Sequence, residues 1–144
     1  MISVIAGGKK TRQVEEMILE YGKRLKKPYA YSWQFLEEEK FLRKLLAWPF
    51  DKHKQFVIMC DERGEIISSP EFSARITKVL ENNRDIVILI GGAYGFSPEL
   101  REKADFLWSF SKLVFPHRIA QMIVAEQIYR AQEIALGRPY HHGS

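Results

Sequence analysis

Hydrophobic and polar positions recur along this chain with two different periods, and the changes of period mark its elements. Ile2-Ser3-Val4-Ile5-Ala6 is short, rich in β-branched residues and closed by Gly7-Gly8, which predicts a strand turning toward a helix near Thr11. From Thr11 to Leu25, Val14, Met17, Ile18 and Tyr21 return at helical spacing with basic residues outside, the pattern of an amphipathic helix. Pro28 breaks that pattern. The aromatic stretch Tyr29 to Phe35 reads as a second strand, and Glu37, Glu38 and Glu39 lead into a helix carrying Phe41, Leu42, Leu45 and Leu46, ended by Trp48-Pro49-Phe50. Gln55 to Cys60 and Asp85 to Ile90 are nearly continuous apolar runs, as expected of strands covered on both faces. Asp61-Glu62-Arg63-Gly64 follows the first as a turn, and Gly91-Gly92-Ala93-Tyr94-Gly95 follows the second as a loop. Ser68-Ser69-Pro70-Glu71 offers a capping hydroxyl and a first-turn proline, so a helix runs from there to about Glu81 and closes at Asn82-Asn83. A short helix after Ser97-Pro98, a strand over Asp105 to Phe110 and a long helix from Pro116 to Leu136 complete the set. Strands alternating with helices predict an α/β fold with a mostly parallel sheet flanked by helices.

A length of 144 residues fits one core, so residues 1–144 are expected to form a single domain with no separate substrate-binding module. Hydrophobic residues at 46% exclude a disordered chain. Lysine and arginine total 22 against 18 acidic residues, a mild excess that suits an anionic partner without requiring one. That charge gathers in Lys9, Lys10 and Arg12; in Lys23, Arg24, Lys26 and Lys27; and in Lys52, His53 and Lys54, each placed to touch phosphates. The single cysteine, Cys60, excludes an internal disulfide and a multi-cysteine zinc site and fits a reducing compartment. No run approaches the ~20 apolar residues of a membrane helix, and the opening lacks the charged-then-apolar order of a signal peptide, so a cytoplasmic protein is expected.

In open parallel sheets ligands bind beyond the carboxyl ends of the strands, which directs attention to the segments after Cys60, Ile90 and Phe110. The glycine loop after Ile90 lets backbone approach a ligand closely; a tight turn needs the same glycines, and both readings stay open on the loop alone. Its spacing fails GxGxxG, no P-loop lysine follows, and no GxSxG elbow marks a serine hydrolase. His117, His141 and His142 lack the spacing of a helical zinc site, so no metal is expected.

The stretch VILIGGAYGFSPEL, taken with WSFSKLVFPHRIAQMIVAEQIYRAQEIALGRPYHH, resembles the pseudouridine N3-methyltransferases of large-subunit (23S) ribosomal RNA, in the SPOUT or trefoil-knot class. The resemblance is close from Asp85 to His142, looser at Cys60-Asp61, and reaches Tyr21 and its basic neighbours. It implies a C-terminal trefoil knot, with S-adenosylmethionine held by three loops: at Cys60, at Gly91, and at Phe110-Ser111-Lys112-Leu113-Val114-Phe115 before Pro116-His117. Leu113, Val114 and Phe115 would give an apolar wall for a purine. The implied substrate is large-subunit rRNA in the assembled subunit or ribosome. The family is homodimeric, the tail of one subunit approaching the cofactor of the other; Met122, Ile123, Ile128 and Ile134 would supply the interface, and an intrachain core explains them equally well.

Within the motif EQIYRA, Arg130 would orient the target nucleotide or a phosphate, with a salt bridge to Glu126 at i,i+4 as the structural alternative. In the ending Pro139-Tyr140-His141, Tyr140 would stack on the base and His141 would accept the imide proton. This chain departs from the family in two places. Gln121 stands four positions after Pro116-His117, where the family usually has arginine, and the chain ends in His142-Gly143-Ser144 where the family tends to a basic residue. Two other functions fit less of the pattern: a SPOUT methyltransferase acting on tRNA, and a non-catalytic ribosome-associated protein that keeps the fold.

Overall fold

A computed structural model describes residues 1–92 and 95–143; Ala93 and Tyr94 of the expected glycine loop, and Ser144 of the tail, lie outside the described residues. The elements follow in the order β1 (Ile2–Gly7), α1 (Arg12–Gly22), β2 (Tyr31–Leu36), α2 (Glu38–Ala47), β3 (Gln55–Ile66), α3 (Ser69–Glu81), β4 (Asp85–Ile90), α4 (Pro98–Arg101), β5 (Phe106–Ser109) and α5 (His117–Ala135). The strands make one five-stranded sheet in the order β2-β1-β4-β3-β5, every pairing parallel. The two apolar runs, β3 and β4, sit side by side with Val57 opposite Val87 and Cys60 opposite Ile90.

Alternation along those strands divides the core. Ile86, Ile88 and Ile90 of β4 join Ile58 of β3 on the face covered by Phe72 and Ile76 of α3 and by Val124 and Ile128 of α5. Val87 and Leu89 join Val57 and Met59 on the other face, under Phe41 and Leu45 of α2 and Leu100 of α4. Each such fully buried side chain contributes about 1.5–3 kcal/mol relative to exposure, so the run DIVILI is stable only with helices on both sides. The start of α3 is a capping box: Glu71 N donates to Ser68 Oγ at 3.2 Å and Ser68 N donates to the Glu71 carboxylate at 3.3 Å.

Three boundaries differ from the sequence expectation. Helix α1 stops at Gly22, because Leu25 turns inward and the backbone on both sides of it bonds to Gln132: Lys26 N donates to Oε1 at 2.7 Å and Nε2 donates to Arg24 O at 3.1 Å. Strand β2 starts at Tyr31, since Tyr29 is buried beneath α3 with its hydroxyl 2.7 Å from Thr77 Oγ1. The third matters most for function. Asp61–Gly64 is not the end of β3 but an excursion within it, for Cys60 and Glu65 both register with Trp108 and pairing with β5 resumes at Ile66 opposite Ser109. Gly64 permits the return: a Cβ there would lie 2.5 Å from the carbonyl of Leu107.

Candidate active site

The excursion, the end of β4 and the segment after β5 enclose an open cleft of about 210 Å³ at the carboxyl edge of the sheet. Of the residues expected to hold a cofactor, Cys60, Gly91, Phe110, Leu113, Val114 and Phe115 line it. Ser111 and Lys112 belong to the same segment but are not among its lining; Ser111 Oγ accepts from Leu113 N at 2.9 Å and so shapes the turn that presents Leu113. Leu113 and Val114 are 68% and 78% exposed, an apolar wall that nothing among the described residues covers. The ring of Phe110 is braced edge-on by Trp108 at 4.8 Å, and Trp108 is itself stacked on Phe72 at 4.1 Å.

Sequence reasoning missed the opposite wall. Asp61, its side chain 2% exposed, receives three bonds from Arg63: from the backbone N at 2.9 Å, Nε at 3.0 Å and Nη2 at 3.3 Å. A further bond from Nη2 to Phe96 O at 3.2 Å ties the excursion to the glycine loop, and the Asp61 carboxylate holds Arg63 above its ordinary value. The available signal was a charged triplet directly after a buried strand, which turn chemistry alone explained too easily. Burial, then the charge of Asp61, pushes the Cys60 thiol far above its usual range, so it meets the cleft as a neutral, polarisable surface. Glycine at 92 also has a steric reason, as a Cβ would lie 2.7 Å from the Glu38 carboxylate at the start of α2.

These features fit an adenosine-containing ligand: an apolar wall for a purine and glycine backbone within reach of polar edges.

Arg130, Tyr140 and His141 are brought together elsewhere. The expected i,i+4 salt bridge is present, with Arg130 Nη2 2.7 Å from Glu126 Oε2. It is part of a larger cluster. Tyr140 donates its hydroxyl to the same carboxylate at 2.8 Å, its ring lies 4.8 Å beneath the Arg130 guanidinium, and Arg130 Nη1 donates to Nδ1 of His141 at 2.9 Å. Tyr140 also packs edge-on against Tyr129, which contacts Tyr21. Burial and the bond to Glu126 raise the Tyr140 hydroxyl above its ordinary value, and the bond to Glu126 does the same for Arg130. With Nδ1 accepting from arginine, a neutral His141 ring carries its proton on Nε2; that atom is buried and has no partner among the described residues.

Along α5, Arg130 stands about 15 Å beyond Ala120 of the cleft at 1.5 Å per residue, so the two clusters stand apart within this chain. Of the apolar residues on α5, Ile128 belongs to the intrachain core, while Met122, Ile123 and Ile134 are half-buried. Gln121 is 1% exposed with its Oε1 unpartnered among the described residues.

A parallel α/β domain with an open cleft at its strand ends defines the class of protein. Two solved structures share the fold: a "probable methylase family protein" from Haemophilus influenzae Rd KW20, with TM-score 0.55 and 13% identity over 94% of this chain and 66% of that one, and the SpoU methyltransferase AviRb from Streptomyces viridochromogenes, with TM-score 0.50 and 11% identity over 96% and 61%. The chain belongs to the SPOUT methyltransferase family, whose model, described as "Predicted SPOUT methyltransferase", matches residues 1–141.

Similar proteins include one from Paracoccus denitrificans (strain Pd 1222), 48% identical over 85 residues, 59% of this chain and 55% of that protein. Another, from Desulfitobacterium hafniense (strain DSM 10664 / DCB-2), is 34% identical over 97% of this chain and 98% of its own length. Both are named "Ribosomal RNA large subunit methyltransferase H". The chain spans about half the length of the first curated relatives it matches. Among the described residues no helix is long and apolar enough to cross a membrane, and no group of three or more His, Cys, Asp or Glu side chains is placed to hold a metal.

Proposed function

We propose that this chain is a cytoplasmic, homodimeric S-adenosylmethionine-dependent methyltransferase acting on N3 of a pseudouridine in large-subunit rRNA. The relatives' name and the family membership support the reaction class. One structural observation carries the rest: the tail cluster stands well away from its own cleft, yet presents a buried His141 Nε2 that has no partner among the described residues. A second subunit, turned so that its tail meets this cleft, completes one site from two chains. The single-domain reading of residues 1–144 and the C-terminal trefoil knot belong to the same proposal.

In this reading Cys60, Gly91 and residues 110–115 would hold the cofactor, which would supply an electrophilic methyl group on a sulfonium, with a neutral thioether as the leaving group. Nucleophilic attack needs the imide N3 to give up its proton. Glu126 fixes Tyr140 and Arg130 through one carboxylate, and the face of Tyr140 that lies under the Arg130 guanidinium would open to the target base when that guanidinium moves. Arg130 moves from His141 Nδ1 to the incoming nucleotide's phosphate or carbonyl; Nδ1 then takes the N3 proton, and the N3 lone pair forms the new N–C bond. A flexible, unpaired base suits such a pocket, whereas a base inside an A-form helix does not reach it.

The test is transfer of labelled methyl from S-adenosylmethionine to separated subunits, whole ribosomes and tRNA, with mass-spectrometric location of the product. Label on a large-subunit pseudouridine is expected. Label on tRNA alone would move the specificity, and absence of cofactor binding would leave a non-catalytic RNA-binding protein.

A further inference from the structure

Of the three basic groups along the chain, the fold ties one to the tail cluster. The segment Lys23–Lys27 leaves α1 and lies across α5, pinned there by the completely buried Gln132, whose amide bonds to the backbone of both Arg24 and Lys26. Gln132 is two residues from Arg130 on the same helix. The Arg24 guanidinium stands 5.8 Å from the centre of the Tyr129 ring, and Tyr129 in turn packs on Tyr140 at 4.8 Å. The side chains of Lys23 and Arg24 are engaged by Glu20, at 3.2 and 2.5 Å. Lys26 and Lys27 are exposed, and neither takes part in a salt bridge among the described residues. Rigid backbone with uncompensated side-chain charge suits a repeating anionic strand, because the cations keep their spacing without being neutralised from within.

The other groups are placed differently. Lys10 and Arg12 are paired with Glu15 and Glu16. Lys52 is bonded to the Lys103 carbonyl and to Asp105 ahead of β5.

We propose that Lys26 and Lys27 form a phosphate clamp that grips the RNA strand next to the target nucleotide, registered to Arg130, Tyr140 and His141 through Gln132. This deepens the methyltransferase reading, on which it rests for the role of the tail cluster. The sugar–phosphate backbone would be held by the subunit that supplies the tail, while the other subunit supplies the cofactor.

The experiment compares the full-length chain with Lys26→Ala/Lys27→Ala and with Lys52→Ala/Lys54→Ala. Filter binding to large ribosomal subunits and to protein-free 23S rRNA is measured over a range of salt, with methyl transfer scored on the same samples. Thermal melts and sedimentation establish that each variant is folded and has the wild-type oligomeric state. Removing Lys26 and Lys27 is expected to weaken RNA binding about tenfold and to reduce the slope of log K against log salt by about 1.4, roughly 0.7 for each single-strand phosphate contact. Its KM for RNA rises while kcat and cofactor affinity hold, and the Lys52/Lys54 variant binds like wild type. Unchanged binding by Lys26→Ala/Lys27→Ala overturns the clamp, as does a loss seen on subunits but not on protein-free rRNA, which would assign the contact to a ribosomal protein. A weakened, less salt-sensitive complex in a protein that transfers no methyl group upholds the clamp and removes the enzymatic reading instead.

Discussion

Replacing Gly64 with alanine places a methyl carbon 2.5 Å from the carbonyl carbon and oxygen of Leu107 and 2.8 Å from Trp108 N. Those atoms belong to β5, held in register by β3 on both sides of the Asp61–Gly64 excursion, so they cannot turn aside as a side chain would. Relief requires the two strands to part by most of an ångström where β3 rejoins β5. Overpacking in well-packed interiors costs about 1–3 kcal/mol. With backbone as the obstacle the upper end applies, and at roughly 4 °C per kcal/mol for a chain of this size the melting temperature should fall by about 10 °C. Gly92→Ala is the internal comparison, because its Cβ meets the end of the Glu38 side chain at 2.7 Å, which can swing into solvent for under about 1 kcal/mol. Calorimetry of both variants gives the ranking, and titration with S-adenosylmethionine reads the cleft. Gly64→Ala should weaken binding at least about tenfold, since parting the strands displaces the wall made by Asp61 and Arg63, a loss of about 1.4 kcal/mol. A Gly64→Ala protein that melts within about 2 °C of wild type would refute the steric argument. One that melts low but binds the cofactor normally would remove the excursion from the binding site.

Glu126→Gln removes the carboxylate that holds both Arg130 and Tyr140, so methyl transfer should fall about 10²-fold with cofactor affinity unchanged, and equal loss of both would show that the cluster serves folding alone. Gln132→Ala leaves the Lys26 amide and the Arg24 carbonyl without their buried partner and should cost about 2–4 kcal/mol in urea denaturation; a loss below about 1 kcal/mol would mean that water takes over both bonds. Tyr31 and Tyr140 both keep their protons more firmly when folded, the first through burial and the second through burial and Glu126. The unfolded chain therefore releases protons first. Their contribution is fully present below the ordinary tyrosine value of about 10 and is lost as pH rises above it, and Tyr31→Phe should flatten that decline between pH 9 and 11 in urea melts. An alkaline limb as steep as wild type would exclude Tyr31 as its source.

What the sequence disclosed and what it withheld divide along a physical line. Runs such as QFVIM and DIVILI carry their environment in their own composition, since a strand with no polar face has to be covered twice; the core halves of β3 and β4 and the helices between them follow from that. Ser68 and Glu71 likewise disclose a helix start, because a capping box is a local interaction. The excursion at Asp61–Gly64 is not local. Its four residues have turn chemistry, and only the pairing of Cys60 and Glu65 with Trp108, more than forty positions later, makes them a cleft wall. The end of α1 at Gly22 depends in the same way on Gln132, more than a hundred residues away, whose polarity at a buried helical position is the one trace that it serves other backbone.

The tail differs again. Glu126 and Arg130 reveal their pairing through i,i+4 spacing, but that spacing stops at two residues, and nothing in a period of 3.6 announces that Tyr140 and His141 fold back to share the same carboxylate and guanidinium. The resemblance to a family named these residues without the geometry, and the geometry adds a constraint that resemblance did not contain. As long as Arg130 occupies Nδ1 of His141, the neutral imidazole has only its buried Nε2–H to offer and cannot take a proton from the base. In the mechanism proposed above, substrate would therefore have to draw Arg130 away before His141 could act, which would couple recognition of the nucleotide to the appearance of the base that activates it.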